Sequence, residues 1–237
     1  MKKRFWKSAE QISAEMLTTL LIFSAAFAGL IFLIRPRMRP KKKIDLKIFD
    51  LIKGYTNKRN TRIMSGITFF GTHDFFIPAN LSLIFYFLFI RRRTWFSIRI
   101  VSISLSSLVL MFLLKFLFKR KRPAKPLLTP PKTLSFPSGH AISSVTFYGL
   151  LIYIISKTVE QKSVKIPLII PLVIFIQVIG FSRVYLRMHY ASDVAVGYIA
   201  GLLWLLISLE VLKKMEEYNK EMNAQIEPAK PQQVLLL

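Results

Sequence analysis

The sequence predicts an all-α protein: an integral membrane bundle of six helices, with a short interfacial helix between the first and second spans. Three observations carry the prediction. The 237-residue chain is 53% hydrophobic, its apolar residues come in blocks, and its Lys and Arg residues fill the short stretches between those blocks.

The first block, Met16 to Ile34, is 19 residues without a charge, close to the roughly 20 that a helix needs to cross a hydrocarbon core. A cleaved signal peptide is the alternative here, since Lys2, Lys3, Arg4 and Lys7 precede the block. The block is long for that purpose, and Arg35, Pro36 and Arg37 follow it with no small-residue cleavage pattern. Five further spans are expected at about 75–90, 95–114, 141–156, 166–182 and 194–209. Pro78 and Asn80 interrupt the second, and Arg99 stands near the start of the third, where its long stem reaches back to the interface. Residues 1–212 then form the membrane domain, and 213–237 a frayed, soluble tail.

Between the first two spans runs the longest and most basic connection, opened by Arg35, Arg37, Arg39, Lys41, Lys42 and Lys43. Within it Ile44, Ile48, Leu51 and Ile52 share helical spacing, which predicts an amphipathic helix on the membrane surface; a solvated basic loop is the alternative. Gly197 and Gly201 form a small-xxx-small pair in the last span, suited to close helix packing.

A formal net charge of +23 raises the possibility of nucleic-acid binding. The charges, however, sit where anionic head groups would meet them, and no nucleic-acid motif accompanies them, so membrane lipids are the expected partners and nucleic acid is not. The chain has no cysteine, which removes disulfides and thiolate chemistry. Packing within the chain is the expected use of the Gly197–Gly201 pair, with a dimer face as the alternative, and the sequence does not set the oligomeric state.

Ionisable residues beside membrane spans are costly, so their clustering is informative. Lys115 is followed after six residues by Arg122 and Pro123; Pro137-Ser138-Gly139-His140 opens the fourth span; and Ser182-Arg183, His189 and Asp193 link the fifth and sixth. If spans alternate in direction, all three clusters meet on one face of the membrane. Lys115, Arg122 and Arg183 then offer three cations to one site, which suits the charge spread over the equatorial oxygens of a transferring phosphoryl group. Ser138 adds a hydroxyl, and Gly139 lets a backbone N–H approach an anion.

His189 and Asp193, four apart, share a helix face. A carboxylate on one ring nitrogen sets the tautomer and leaves the other nitrogen to attack phosphorus. His140 is then the general acid for the leaving alkoxide and the base for water. The two histidines are interchangeable in principle, but only His189 has a carboxylate at this spacing. Taken singly, each residue also fits a helix-end anchor, and His73 is left outside the site on that ground. Ser135 and Pro137 are read as shaping the turn. No close set of carboxylates or His pair stands at metal-ligand spacing, so neither metal nor cofactor is expected.

In these three motifs, K-x6-R-P, P-S-G-H and S-R-x5-H-x3-D, the chain resembles the type 2 phosphatidic acid phosphatase superfamily. The six residues between Lys115 and Arg122 read FLFKRK, and every motif position is filled, in order. The resemblance covers roughly residues 75–212. It implies a six-helix membrane core and metal-independent hydrolysis of a lipid phosphate or pyrophosphate through a phosphohistidine. His189 is then the nucleophile, Asp193 its partner and His140 the acid, with Lys115, Arg122, Ser138, Gly139 and Arg183 around the phosphate. It does not choose among phosphatidylglycerol phosphate, undecaprenyl pyrophosphate, phosphatidic acid and lipid A phosphates.

The same constellation resembles vanadium-dependent haloperoxidases, but those are soluble. A lipid-binding or lipid-translocating protein with the same cations is the non-enzymatic reading, and it needs no His189–Asp193 pair. The resemblance implies a bacterial inner membrane with the site facing the periplasm or exterior. The basic run from Arg35 to Lys43 opposes that orientation: either the surface helix holds anionic lipid or the topology is inverted. Substrate choice is expected to lie in residues 35–74 and in 124–136, which Pro126, Pro130 and Pro131 stiffen.

Overall fold

A computed structural model describes residues 42–129 and 133–226, together with Gly29 and Phe32. The described elements are all helical: α1 (Lys42–Lys53), α2 (Lys58–Phe69), α3 (His73–Phe85), α4 (Thr94–Phe118), α5 (Gly139–Thr158), α6 (Lys162–Tyr185) and α7 (Ala191–Ile226). A π-helical turn, Tyr86–Ile90, continues α3. Among the described residues, five stretches are long and apolar enough to cross a membrane: Lys58–Ile90, Thr94–Phe118, Gly139–Thr158, Lys162–Tyr185 and Ala191–Met222. The expected first span, Met16 to Ile34, lies outside the described residues apart from Gly29 and Phe32.

α5 is the centre of the bundle, packed against α4, α6 and α7. Its contact with α7 is close because Gly197 and Gly201 have no side chain. A Cβ on Gly197 would stand 2.8 Å from the Ala141 Cβ and 3.0 Å from the Ser138 carbonyl oxygen. One on Gly201 would stand 3.0 Å from the Ile142 carbonyl oxygen. The outward faces are apolar. On α4, Leu105, Val109, Phe112 and Phe116 recur at helical spacing and are all exposed, as befits a helix solvated by lipid chains.

Two boundaries differ from the sequence expectation. The second apolar stretch begins at Lys58 rather than near 75, because α2 precedes it: the Asn57 side chain caps α2 by accepting from the Asn60 N–H at 2.8 Å. The chain turns at residues 70–72 before α3 resumes. At the other end, α7 runs on to Ile226, where a frayed tail was expected after residue 212. Glu216 holds that extension to the bundle: it pairs with the buried Arg99 of α4 at 2.5 Å and with Lys220 one turn on at 2.8 Å.

α1 forms where the surface helix was expected, but its inner face is not wholly apolar. Asp45 is buried beside Phe49. Ile44, Leu46 and Leu51 face outward, with Lys43, Lys47 and Lys53.

Candidate active site

The end of α4, the start of α5, the end of α6 and the start of α7 come together at one end of the bundle. The Ser138 N–H donates to the Asp193 carbonyl at 3.0 Å, and Arg122 donates to the Met188 carbonyl at 2.8 Å. This places the three sequence clusters side by side. Alternating short connections require it: α6 turns into α7 within five residues, and the Met188 and His189 N–H groups close that turn on the Arg183 carbonyl at 3.0 and 3.2 Å.

His189 is buried at the centre. An Arg122 Nη1 donor stands 3.3 Å from Nε2. On the opposite edge of the ring, Nδ1 faces Ser135 Oγ at 3.5 Å and Asp193 Oδ2 at 3.6 Å. Ser135 gives its own proton to Asp193 Oδ2, so its oxygen is left to accept from the ring. A guanidinium only donates; the arrangement therefore puts the ring proton on Nδ1 and the lone pair on Nε2, where the cations lie. Burial holds the His189 imidazole down to about 4; Asp193 opposes that shift, while Arg122 and Arg183 reinforce it. The ring is neutral at pH 7.

Asp193 is wholly buried and fully engaged. Oδ2 accepts from Ser135 and from the Tyr190 N–H at 3.0 Å, and Oδ1 accepts from Arg120 Nη1 at 2.5 Å. The i, i+4 spacing from His189 is therefore the separation expected from sequence, although residues 186–190 form a turn rather than a continuous helix.

The cations line the same end. Lys115 donates to the Leu134 carbonyl at 2.7 Å. Arg122 donates to the Thr133 carbonyl at 2.8 Å and to Thr133 Oγ1 at 2.9 Å; burial lowers the pKa of its guanidinium and Asp193 opposes that shift. Arg183 reaches Thr68 Oγ1 at 2.7 Å, while its Nε is buried with no partner among the described residues. His140 Nε2 is likewise buried and unpartnered, and Arg183, His189, His73 and Arg122 lie close enough to act on its charge. A buried guanidinium N–H without an acceptor, beside a buried imidazole nitrogen without a partner, suits a site built to take an oxygen-rich anion. His73, left out of the site on sequence grounds, is thus its neighbour.

Ser138 and Gly139 also serve the helix they open. Ser138 is the N-cap of α5, its Oγ accepting from the Ala141 N–H at 3.4 Å. Gly139 has a packing reason as well, since a Cβ there would stand 2.6 Å from the Met111 sulfur. Sequence reasoning missed Arg120, Asp45, Thr68 and Thr133, and read Ser135 only as a turn former. Arg120 was hidden within FLFKRK. Asp45 did leave a signal: it sits at i−4 and i−7 to Phe49 and Ile52, on the inward face of α1.

Fold and site define a class: an all-helical membrane protein with a buried histidine–carboxylate pair facing a cluster of cations, the equipment for phosphoryl transfer. The PAP2 superfamily model matches residues 96–216, and the chain belongs to that superfamily. It is 30% identical over 161 residues to phosphatidylglycerophosphatase B of Bacillus subtilis strain 168, an alignment covering 67% of this chain and 78% of the relative. Two crystal structures share the fold. One is a transmembrane PAP2-type phosphatidylglycerolphosphate phosphatase from Bacillus subtilis (TM-score 0.65, 22% identity, 90% of this chain and 98% of that one). The other is LpxE of Aquifex aeolicus (TM-score 0.55, 26% identity, 70% and 94%).

Proposed function

We propose that this chain is a lipid phosphatase that hydrolyses a lipid phosphate or pyrophosphate through a phosphohistidine on His189. Lipid phosphate hydrolysis is the part that superfamily membership and the named relatives support. The single observation that carries the histidine mechanism is the orientation of His189: its Nε2 lone pair points at Arg122 while Nδ1 is backed by Ser135 and Asp193.

In the first step Nε2 attacks phosphorus and the bond to the leaving oxygen breaks, its electron pair going to that oxygen. His140 gives it a proton. Asp193 and Ser135 stabilise the positive charge that grows on the imidazole. Arg122, which touches Nε2 here, exchanges that contact for a phosphate oxygen; Lys115 and Arg183 neutralise the others. In the second step His140 takes a proton from water, which attacks the phosphohistidine, releasing phosphate and a neutral His189. Ser138 and Gly139 present the start of α5 and its N–H groups to the same anion.

The apolar part of the substrate has a place to lie. A cavity of about 290 Å³ between α3, α4 and α5 runs from His73 past Phe76, Leu81, Ile84, Leu105 and Phe147, suited to a hydrocarbon chain. The name of the Bacillus subtilis relative makes phosphatidylglycerol phosphate the first substrate to test. Phosphate release in detergent, with a chelator present and from a panel of lipid phosphates and pyrophosphates, is the experiment. Release by the wild type and none by His189→Ala is the expected result; equal release by both sinks the mechanism.

We place the enzyme in a bacterial inner membrane with its site facing the periplasm or exterior, and α1 on that same surface against anionic head groups. Because the chain has no cysteine, Lys43→Cys supplies a single thiol. Labelling by a membrane-impermeant reagent in intact cells is expected; protection until the cells are opened inverts the topology.

A further inference from the structure

We infer that Asp45 and Arg120 act as a positioning clamp, through which the surface helix α1 sets the orientation of the Asp193 carboxylate. The inference rests on the reading of Asp193 as the partner of the nucleophile His189.

Arg120 lies in the α4–α5 connection, two residues before Arg122, yet it is not poised to hold phosphate. Its Nη1 donates to Asp193 Oδ1 at 2.5 Å and to Ser192 Oγ at 2.8 Å. Its Nη2 donates to Asp45 Oδ2 at 2.8 Å. One face of the guanidinium is stacked on the Tyr190 ring, 4.1 Å from the centroid. A fork whose ends and face are so occupied has little left for a ligand, so it acts through the carboxylates it holds.

Asp45 is in turn held on both oxygens, accepting from the Ser192 N–H at 3.1 Å and from Ser192 Oγ at 2.8 Å. Phe49, one turn along α1, packs against Tyr190 with ring centroids 5.8 Å apart. Burying two carboxylates around one Arg is costly unless the geometry is satisfied on every side, as it is here. The result is a chain of contacts from α1 through Asp45 and Arg120 to Asp193 Oδ1. With Oδ1 pinned, the carboxylate cannot rotate, and Oδ2 is kept towards Ser135 and the His189 ring. A helix bearing an outer face of Ile44, Leu46, Leu51 and lysines is thereby tied mechanically to the nucleophile's partner.

The competing reading is that the network only glues α1 to the bundle. Charge separates the two. Lys115, Arg122, Arg183, His140 and Tyr190 also face the Asp193–His189 pair, and they are common to every variant. Arg120→Gln removes a cation from Asp193, so the carboxylate holds the His189 proton more tightly. Asp45→Asn removes the competing anion, so Arg120 neutralises Asp193 more fully and His189 holds its proton less tightly. A network that only glues α1 lets water reach the buried ring in either variant and lifts the His189 midpoint in both, whereas an intact clamp predicts opposite shifts.

The chain has three histidines, so selective ¹³C-histidine labelling of the full chain in detergent gives three resonances, assigned by single substitutions. The expected result is a His189 titration midpoint that rises in Arg120→Gln, falls in Asp45→Asn and returns towards wild type in Arg120→Lys. Phosphate release by Arg120→Gln should show kcat lowered roughly tenfold to a hundredfold, with KM changed by less than about threefold. Midpoints unchanged in both variants, or shifted the same way, overturn the clamp, even if both unfold at lower temperature. If the wild type releases no phosphate from any lipid, the proposed hydrolysis fails, and the titrations still decide the clamp.

Discussion

Ser135→Ala tests how the His189 ring is held. Ser135 is wholly buried and gives its proton to Asp193 Oδ2, while its oxygen faces His189 Nδ1 at 3.5 Å. Alanine removes both contacts and little else, since the Ser135 N–H still donates to the Arg120 carbonyl at 2.8 Å and keeps the loop in place. Oδ2 is left with the Tyr190 N–H and the longer contact to His189 Nδ1, and the ring proton loses its nearer acceptor. A hydrogen bond to a charged group is worth about 1.5–3 kcal/mol. If that energy is realised as the imidazole gains positive charge, kcat falls roughly ten- to 150-fold. KM should hardly change, because Ser135 touches none of Lys115, Arg122 and Arg183. The assay is phosphate release at saturating and limiting lipid in the same detergent, with the unfolding midpoint measured alongside. A variant that keeps kcat within twofold of wild type at an unchanged midpoint refutes the orientation argued for His189.

Other predictions follow from the same geometry. The acid limb of kcat/KM should lie below the ordinary histidine value, because burial holds the His189 imidazole near 4 and protonation removes the attacking lone pair; a limb at or above 6.5 contradicts the assignment. The linkage has the same sign: below 6.5 the unfolded chain takes up a proton that folded His189 refuses, so this contribution to stability is lost as pH falls from 6.5 towards 4, measurable as a falling unfolding midpoint. Gly197→Val forces a Cβ to within 2.8 Å of Ala141 and 3.0 Å of the Ser138 carbonyl, and should cost about 1–3 kcal/mol of stability together with activity, since Ser138 caps the helix bearing His140. Glu216→Ala strands the Arg99 guanidinium, which is 5% exposed; because Glu216 itself is 20% exposed, the cost should be about 1–3 kcal/mol, read as a lower unfolding midpoint with KM unchanged.

The sequence by itself determined the class of protein and part of the set of residues that the fold gathers at one end of the bundle. Apolar blocks and basic connections are local features, and they identify membrane helices whatever the tertiary contacts. The three motifs named Lys115, Arg122, Ser138, Gly139, His140, Arg183, His189 and Asp193, and alternating spans were enough to expect them at one end. Boundaries were less well determined: α2 and the last turns of α7 are polar enough to read as connection and tail, and become helix through the Asn57 cap and the Arg99–Glu216 pair.

Only the tertiary structure decided who holds whom. Ser135 meets Asp193 across 58 residues, Arg183 meets Thr68 across 115, and Ser192 meets Asp45 across 147. No periodicity or spacing encodes such pairs, because a hydrogen bond depends on where two distant side chains are brought by packing. The tautomer of His189, the capping bond that Ser138 Oγ accepts, and the distinction between Arg120 and Arg122 are of this kind. Two arginines two residues apart look alike in a sequence, whereas in the fold one is spent between carboxylates and the other stands against His189 Nε2.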